Sequence, residues 1–147
     1  MICIEHTKIN YQTYKTLLQD IIWFAPFQNS NFNNTFLVKK GSDNILIYNF
    51  SEYTPIVSKM TISLFTKDCK KIIDSIINEK FRENPKLLKI SVDIIEEEDI
   101  SYLSGEKYLF EIEAKLREHA VIEDKLRDVY IASTFKEEQN DRFRKSK

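Results

Sequence analysis

The sequence predicts a single α/β (α+β) domain with a mixed sheet of about six to seven strands and about three to four helices on its faces. The chain has 147 residues, the size of one domain, and 42% of them are hydrophobic. Its periodic patterns run as helix, three strands, helix, strand, helix and two strands. Strands in one block, followed by alternating strands and helices, indicate a mixed sheet. We expect residues 1–135 to form the domain and residues 136–147 to be a polar tail.

Composition argues against several classes of protein. The formal net charge of -1 gives no general attraction to nucleic acid or anionic lipid, and the longest apolar run, Ile21 to Ala25, is too short to cross a membrane. Cys3 and Cys69 form no C-x-x-C pair, so no disulfide framework is expected. The N-terminus lacks the pattern of a secretory signal. We therefore expect a cytoplasmic protein that binds neither nucleic acid nor membranes.

Glycine is scarce, since the chain contains only Gly41 and Gly105. Phosphate-binding loops of the Walker and Rossmann kinds need several glycines, because backbone amides must close on the phosphate without a Cβ in the way. Two isolated glycines exclude both kinds of nucleotide loop.

The first helix is predicted to begin after Asn10, a favourable N-cap residue. Apolar side chains continue at helical spacing from Tyr11 to Ile22. The Asn-rich segment 26–34, which starts with proline, is expected to be a loop.

Three strands are predicted next. Residues 35–40 and 45–50 flank a turn-forming tetrapeptide, 41–44, which indicates an antiparallel hairpin. The third strand is expected within 56–65, after Pro55, because proline donates no ladder hydrogen bond.

A second helix is predicted from Lys67 to about Arg82, with Thr66 as its cap and an apolar stripe of isoleucines. Residues 88–94 alternate as a half-buried strand. A short helix is expected within 96–107, where acidic residues suit the positive end of the helix dipole.

The last two predicted strands form a hairpin. Residues 108–116 alternate between apolar and polar side chains, and a run from 125 to 135 is expected to pair back across Glu123 and Asp124.

Two short stretches in this hairpin resemble a known family. Leu116-Arg117-Glu118-His119 ends one strand and Asp128-Val129-Tyr130 lies in the next. Both stretches, and the order of the preceding elements, are similar to the GNAT acyltransferases, especially the branch that acetylates protein N-termini. The resemblance implies a GNAT-like fold and transfer of an acetyl group from acetyl-CoA to an amine of a protein or small molecule.

The resemblance also implies where acetyl-CoA would bind. In GNAT enzymes it lies between two adjacent parallel strands, and backbone amides of a glycine-containing turn hold its pyrophosphate at a helix N-terminus. Carried over to this sequence, the candidate residues are Ile62, Ser63, Thr66, Lys67 and Lys70.

Catalytic candidates follow from the same resemblance. Family members handle the acceptor amine on the strand that carries Glu111 and Glu113, so either glutamate is a candidate base or amine-attracting charge. Exposed strand glutamates without a function are the alternative. The tyrosine that protonates the departing thiolate aligns with Gly105, which leaves Tyr102, one helical turn away, as its candidate substitute or as a packing residue.

The sequence departs from the family pattern at two functional positions. The turn from Leu64 to Lys70 contains no glycine, and Asp68 places a negative charge where phosphates would lie. Gly105 replaces the acid tyrosine. These departures predict weakened, altered or lost CoA binding.

Two hypotheses therefore stand. The first is an acetyl-CoA-dependent N-acyltransferase whose partners are acetyl-CoA and an amine acceptor. The alternative is a catalytically inactive GNAT-fold protein, a pseudoenzyme that binds a protein or small ligand. An exposed strand edge near the C-terminus would allow a homodimer in either case.

Two further residues are interpreted as structural. His119 has no histidine or cysteine neighbour in sequence that could complete a metal site, so no metal is expected. Cys69 falls on the apolar face of the second predicted helix, which favours packing over reactivity.

Overall fold

The structure is a computed structural model that describes residues 4–21, 23–24, 34–66, 69–94, 110–122 and 124–136. Its strands are β1 (Ile4–Ile9), β2 (Trp23–Phe24), β3 (Thr35–Lys40), β4 (Asp43–Thr54), β5 (Val57–Leu64), β6 (Lys89–Ile94), β7 (Glu111–Ile122) and β8 (Lys125–Phe135). Its helices are α1 (Tyr11–Leu17), which continues as a 3-10 turn (Leu18–Asp20), and α2 (Lys70–Glu83).

The strands form a mixed sheet, as predicted. They are hydrogen-bonded in the order β1-β3-β4-β5-β6-β8-β7, and β2 pairs with β5 off this path. The Ile56 carbonyl, just before β5, accepts hydrogen bonds from the Leu88 and Lys89 amides at 2.9 and 3.1 Å. β5 and β6 therefore begin side by side and run in the same direction, whereas β8 is antiparallel to both β6 and β7. This arrangement confirms the α/β class.

The numbers of elements differ from the prediction. Within the described residues there are two α-helices and seven strands on the main path plus β2, against about three to four helices and about six to seven strands expected. The helix predicted within 96–107 and the loop at 26–33 lie outside the described residues.

The chain divides into two compact units. The first comprises Met1–Ser51 with Met60–Cys69, and the second comprises Glu52–Lys59 with Lys70–Lys147. β4 and β5 contribute residues to both.

The first unit is organised by the helix that the sequence predicted. The Asn10 side chain accepts a hydrogen bond from the Thr13 amide at 2.8 Å, which caps α1 as expected. One face of α1 buries Tyr14, which packs with Leu37 of β3 and Ile47 of β4. This apolar cluster is the core of the unit's helix-covered side.

The hairpin β3–β4 is confirmed, with a tighter turn than expected. Lys40 pairs with Asp43, so the connection is Gly41 and Ser42, and β4 begins at Asp43 instead of residue 45. Gly41 has φ 65, a left-handed conformation that glycine adopts without steric cost.

β1 was not predicted. All but its last residue are exposed, and it pairs antiparallel with β3 from Ile4 opposite Lys40 to Ile9 opposite Thr35. Its sequence has no apolar alternation, so the strand depends on this pairing with residues that are distant in sequence.

In the second unit, α2 starts later than predicted. Cys69 is not helical and the described helix begins at Lys70, so the expected cap position of Thr66 is wrong. The predicted apolar stripe is confirmed, since Ile73, Ile76, Ile77 and Phe81 are buried. Cys69 is also buried, with 4% of its surface exposed, as expected for a packing residue.

The half-buried pattern predicted for β6 is confirmed, since Lys89 and Asp93 on its polar face keep side chains that are 27% and 31% exposed. Ile90 and Val92 are fully buried, and Ser91 between them is only 9% exposed. Leu88, which the alternation placed inside, is 51% exposed and precedes the strand.

The predicted C-terminal hairpin is confirmed as β7–β8, with Ile122 opposite Lys125. The burial expected along β7 is only partly present: Phe110 is buried, whereas Ile112 is 40% exposed. No side chain from Glu111 to Glu118 is buried, because β7 lies at the end of the strand order and gains neighbours on one side only.

Candidate functional site

The residues expected to bind acetyl-CoA lie at the end of β5 and the start of α2. Ile62 and Ser63 are buried, at 1% and 0% exposure, so only their backbone could contact a ligand. Thr66 is half-buried, and Lys70 is exposed as the first residue of α2. Lys67 lies outside the described residues. Within the described part of the chain, the Ser63 hydroxyl has no hydrogen-bond partner.

The chain's own β2 occupies one edge of β5 at this point. Trp23 pairs with Leu64, and Phe24 pairs with Ser63. The Phe65 amide donates to the Ile45 carbonyl at 2.9 Å, so β4 takes one edge of β5 as far as Phe65. A strand has two edges, and β2 must therefore lie on the other one. The backbone of Leu64, which faces that edge, is paired with Trp23 rather than open.

The two glutamates expected to handle the amine lie on β7, and both are exposed. Glu111 is the register partner of Ser133 on β8, which in turn faces Ser91 on β6. These three residues form one row across the second unit's sheet and share a face. Tyr102, the candidate acid, lies outside the described residues.

Glu113 sits at an irregularity in β7. Ile112 pairs with Ala132 and Ala114 pairs with Ile131, so Glu113 is an extra residue without a partner of its own on β8. Such bulges change the direction in which a side chain points and are frequent next to active sites. Here the Glu113 Oε2 accepts a hydrogen bond from the Lys89 Nζ at 2.8 Å.

Lys89 contacts an aromatic ring as well as Glu113. Phe135 is its register partner, and the Lys89 Nζ lies 5.5 Å from the ring centroid. The ammonium is thus held by a carboxylate and a ring face together.

Glu111 differs from Glu113 in its electrostatic surroundings. Among the described residues, no lysine or arginine lies within ion-pairing distance of Glu111. Another acid, Asp93 of β6, is ion-paired with Lys59. Of the three neighbouring acids Asp93, Glu111 and Glu113, Glu111 is therefore the one without an ion pair in the described chain.

The family-like stretches form a second irregularity of β7. Leu116 pairs with Val129 and Ala120 pairs with Arg127, so residues 117–119 face the single residue Asp128. Glu118 has φ 47, and its amide donates to the Asp128 Oδ1 at 3.0 Å. Asp128 therefore satisfies a backbone amide that the irregular pairing would leave open. The matched motif describes a bulge and the carboxylate that holds it.

Charges around this bulge support the same contact. The hydrogen bond from the Glu118 amide lowers the pKa of Asp128, with a smaller contribution from Lys115. Lys115 lies 3.5 Å from the Asp128 Oδ2 and 5.5 Å from the Tyr130 ring centroid. Its side-chain hydrogen bond with Tyr130, followed by the neighbouring charges, raises the pKa of Lys115.

The sequence did not indicate Lys89 or Phe135 as residues of interest, and it assigned no role to Asp128. Lys89 and Glu113 are 24 positions apart, and only the strand order brings them together. Asp128 belongs to the family-like stretch, but its contact with the Glu118 amide could not be predicted from the sequence. The His119 side chain is not among the described parts of the structure. Within the described residues, no cluster of three metal-ligating side chains occurs. No helix in the described ranges is long and apolar enough to span a membrane.

Similarity to solved structures identifies the fold. The spermidine/spermine N-acetyltransferase of Vibrio cholerae matches with a TM-score of 0.66 and 14% identity over 98% of this chain and 97% of that one. A structure of the Vibrio cholerae spermidine enzyme with CoA and spermine gives 0.61 and 13% over 93% and 98%. The Escherichia coli ribosomal-protein-S18-alanine N-acetyltransferase gives 0.61 and 10% over 90% and 94%. No model of a protein family matches the sequence, and no curated protein does. The chain has the GNAT acetyltransferase fold.

Proposed function

We propose that this protein is a GNAT-type N-acyltransferase that transfers an acetyl group from acetyl-CoA to an amine. The observation that carries the proposal is the position of Glu111. Its exposed carboxylate has no cation within the described chain and lies on β7, the last strand in the order of a GNAT-like sheet. The fold likeness extends over nearly the whole chain and includes an amine acetyltransferase solved with CoA and spermine. Polyamines and protein N-termini are both acceptor classes to test.

The proposed chemistry needs one base and one acid. Glu111 accepts a proton from the acceptor's ammonium, which frees the nitrogen lone pair to attack the thioester carbonyl. A C–N bond forms, the C–S bond breaks, and the thiolate leaves with the electron pair, while the nitrogen gives up its second proton to solvent. Tyr102 is the proposed donor of the proton that the thiolate takes up.

Acetyl-CoA binding requires a change at β5. In the GNAT arrangement the ligand lies along the strand edge that β2 occupies here at Ser63 and Leu64. We therefore propose that β2 leaves this edge when CoA binds. The loss of its backbone pairing lowers the apparent affinity for CoA, because part of the binding free energy is spent on separating β2.

Calorimetric titration of CoA tests this proposal. Trp23→Pro removes the N–H of the β2 residue that pairs with Leu64, while Trp23→Ala truncates the same side chain and keeps the N–H. We expect measurable binding by the wild type and about fivefold tighter binding by Trp23→Pro than by Trp23→Ala, the equivalent of one hydrogen bond. Equal affinities would contradict the displacement of β2. No heat from any variant at millimolar CoA would contradict the acyltransferase.

A second candidate function is a catalytically inactive GNAT-fold protein that binds a protein or small ligand. The pairing of β2 with Ser63 and Leu64 favours it, because this pairing closes the edge where the acyl donor would lie. The glycine-free turn from Leu64 to Lys70 points the same way. Acetyl transfer to any amine by the wild type, abolished in Glu111→Gln, would exclude this candidate.

Other expectations belong to the proposal too. The match to an S18-alanine N-acetyltransferase supports the branch that modifies protein N-termini as one acceptor class. A cytoplasmic location and a homodimer stay predictions, which fractionation and light scattering would test.

A further inference from the structure

Lys89, Glu113 and Phe135 together form an arrangement that binds ammonium groups. The Lys89 Nζ lies 2.8 Å from the Glu113 Oε2 and 5.5 Å from the centroid of the Phe135 ring. A carboxylate combined with an aromatic face is the usual chemistry for recognising alkylammonium ions. The ammonium bound here belongs to the protein itself.

We propose that Glu113 and Phe135 form an ammonium subsite, and that Lys89 fills it and so restricts the acceptor to amines with a single positive charge near the reacting nitrogen. The inference rests on the proposed function, because it assigns the acceptor class of that same site. Lys89 is in this view a specificity-determining residue.

Backbone geometry shows that the subsite is built by the fold. Glu113 is the extra residue of the β7 irregularity between Ile112 and Ala114, which changes its direction, and Phe135 is the register partner of Lys89. The Lys89 and Glu113 side chains are 27% and 33% exposed, and Phe135 is 37% exposed. An amine from solution can therefore reach the carboxylate and the ring if the lysine is removed.

Glu111, the proposed base, lies close to the ammonium subsite. Glu111 shares a row with Ser133 and Ser91, and this row lies two residues, about 7 Å, along the strands from the row of Lys89 and Phe135. A diamine could place one nitrogen at Glu111 and the other at Glu113, were Lys89 not there.

The ion pairs on β6 and β7 support a singly charged acceptor. Asp93 is ion-paired with Lys59, and Glu113 is ion-paired with Lys89. Of the three acids Asp93, Glu111 and Glu113, only Glu111 has no ion pair within the described residues. The two lysines repel further positive charges, so a second ammonium on the acceptor gains nothing from this surface.

Lys89→Met tests the inference, because methionine keeps the length of the side chain and removes its charge. The affinities of n-butylamine and putrescine are measured by calorimetry, and their acetylation is measured separately by release of the CoA thiol. The wild type is expected to bind putrescine no more tightly than n-butylamine. In Lys89→Met, the affinity for putrescine relative to n-butylamine should rise on the order of tenfold, the combined worth of an exposed ion pair and a cation–π contact.

Two variants control for simpler explanations. Lys59→Met uncovers Asp93 in the same way, and the double variant Lys89→Met with Phe135→Leu removes the ring. Both should keep the ratio of putrescine to n-butylamine affinity within about threefold of the wild type. A similar gain in Lys59→Met, or no gain in Lys89→Met, would overturn the assignment.

The two readouts separate this inference from the proposed function. If no variant acetylates an amine, the acyltransferase proposal fails, but a changed binding ratio in Lys89→Met still supports the ammonium subsite. If the amines are acetylated and the ratio is unchanged in Lys89→Met, the acyltransferase stands and the subsite is wrong.

Discussion

The hairpins β3–β4 and β7–β8 are held in different ways. In β3–β4 the helix α1 covers one face, and Leu37 and Ile47 are buried against Tyr14. In β7 no side chain from Glu111 to Glu118 is buried, and the strand breaks its register with β8 twice. Its side-chain contacts are polar, between Lys89 and Glu113 and between Asp128 and the Glu118 amide.

The difference is one between burial and exposure. Apolar burial against a helix fixes the first hairpin, so its side chains on that face are not available to a ligand. The second hairpin exposes charged side chains whose direction depends on bulges, and bulges can be changed without opening a core. We therefore propose that the acceptor site lies on the second hairpin.

The largest expected effect compares one isoleucine from each hairpin. Ile47 is fully buried, whereas Ile112 is 40% exposed. Ile47→Ala should lower the free energy of unfolding by about 2–5 kcal/mol, because it leaves a cavity that the core cannot fill. Ile112→Ala should cost less than about 1 kcal/mol. Urea unfolding measures both, and equal costs would contradict the described difference between the hairpins.

A smaller effect is expected at the turns. Gly41 has φ 65 and Asp124 has φ 63. Gly41→Ala should destabilise the protein by about 1–2 kcal/mol, because a Cβ is unfavourable in the left-handed region. Asp124→Gly should change stability by less than about 0.5 kcal/mol, since aspartate tolerates this conformation. Thermal unfolding of the two variants distinguishes these outcomes; a larger loss for Asp124→Gly would show that the Asp124 side chain has a role beyond the turn.

The smallest effect concerns the bulge and depends on pH. The Glu118 amide holds the pKa of Asp128 below its ordinary value of 3.8. Because the folded pKa is depressed, the stabilisation is present above the unfolded pKa and is lost as the pH falls through the folded pKa. Asp128→Asn should therefore be less stable than the wild type at neutral pH, and the difference should disappear in strong acid.

The Glu118 amide resonance reports this contact directly. In a titration from about pH 7 to about pH 2, its NMR shift should follow the protonation of Asp128. Lys115→Met should raise the pKa of Asp128 only slightly, because the backbone hydrogen bond is the larger cause. If the Glu118 amide shift does not change with pH, the hydrogen bond between Glu118 and Asp128 is contradicted.

Local features of the fold could be predicted from the sequence. Asn10 and the stripe after it specify α1, and the turn residues after Lys40 specify the first hairpin. Each signal lies within a few residues of the element that it defines. β1 has no such signal, because only its pairing with β3 makes it a strand.

Features of the candidate site were predicted less well, for a related reason. Glu111 and Glu113 were candidate residues from the sequence, but no local pattern indicates that Glu113 is ion-paired with a residue 24 positions away. The pairing of β2 with Ser63 depends on two distant segments meeting at one strand edge. Both contacts arise from topology rather than from local chemistry.

The most direct test compares the two glutamates of β7 in acetyl transfer. Glu111→Gln and Glu113→Gln are matched changes on the same strand, and release of the CoA thiol with an amine acceptor measures kcat/KM. Glu111→Gln should lower kcat/KM on the order of 100-fold through the loss of a base, and Glu113→Gln should lower it less than about tenfold. A Glu111→Gln variant with the wild-type rate would contradict the role given to Glu111 and to the hairpin that carries it.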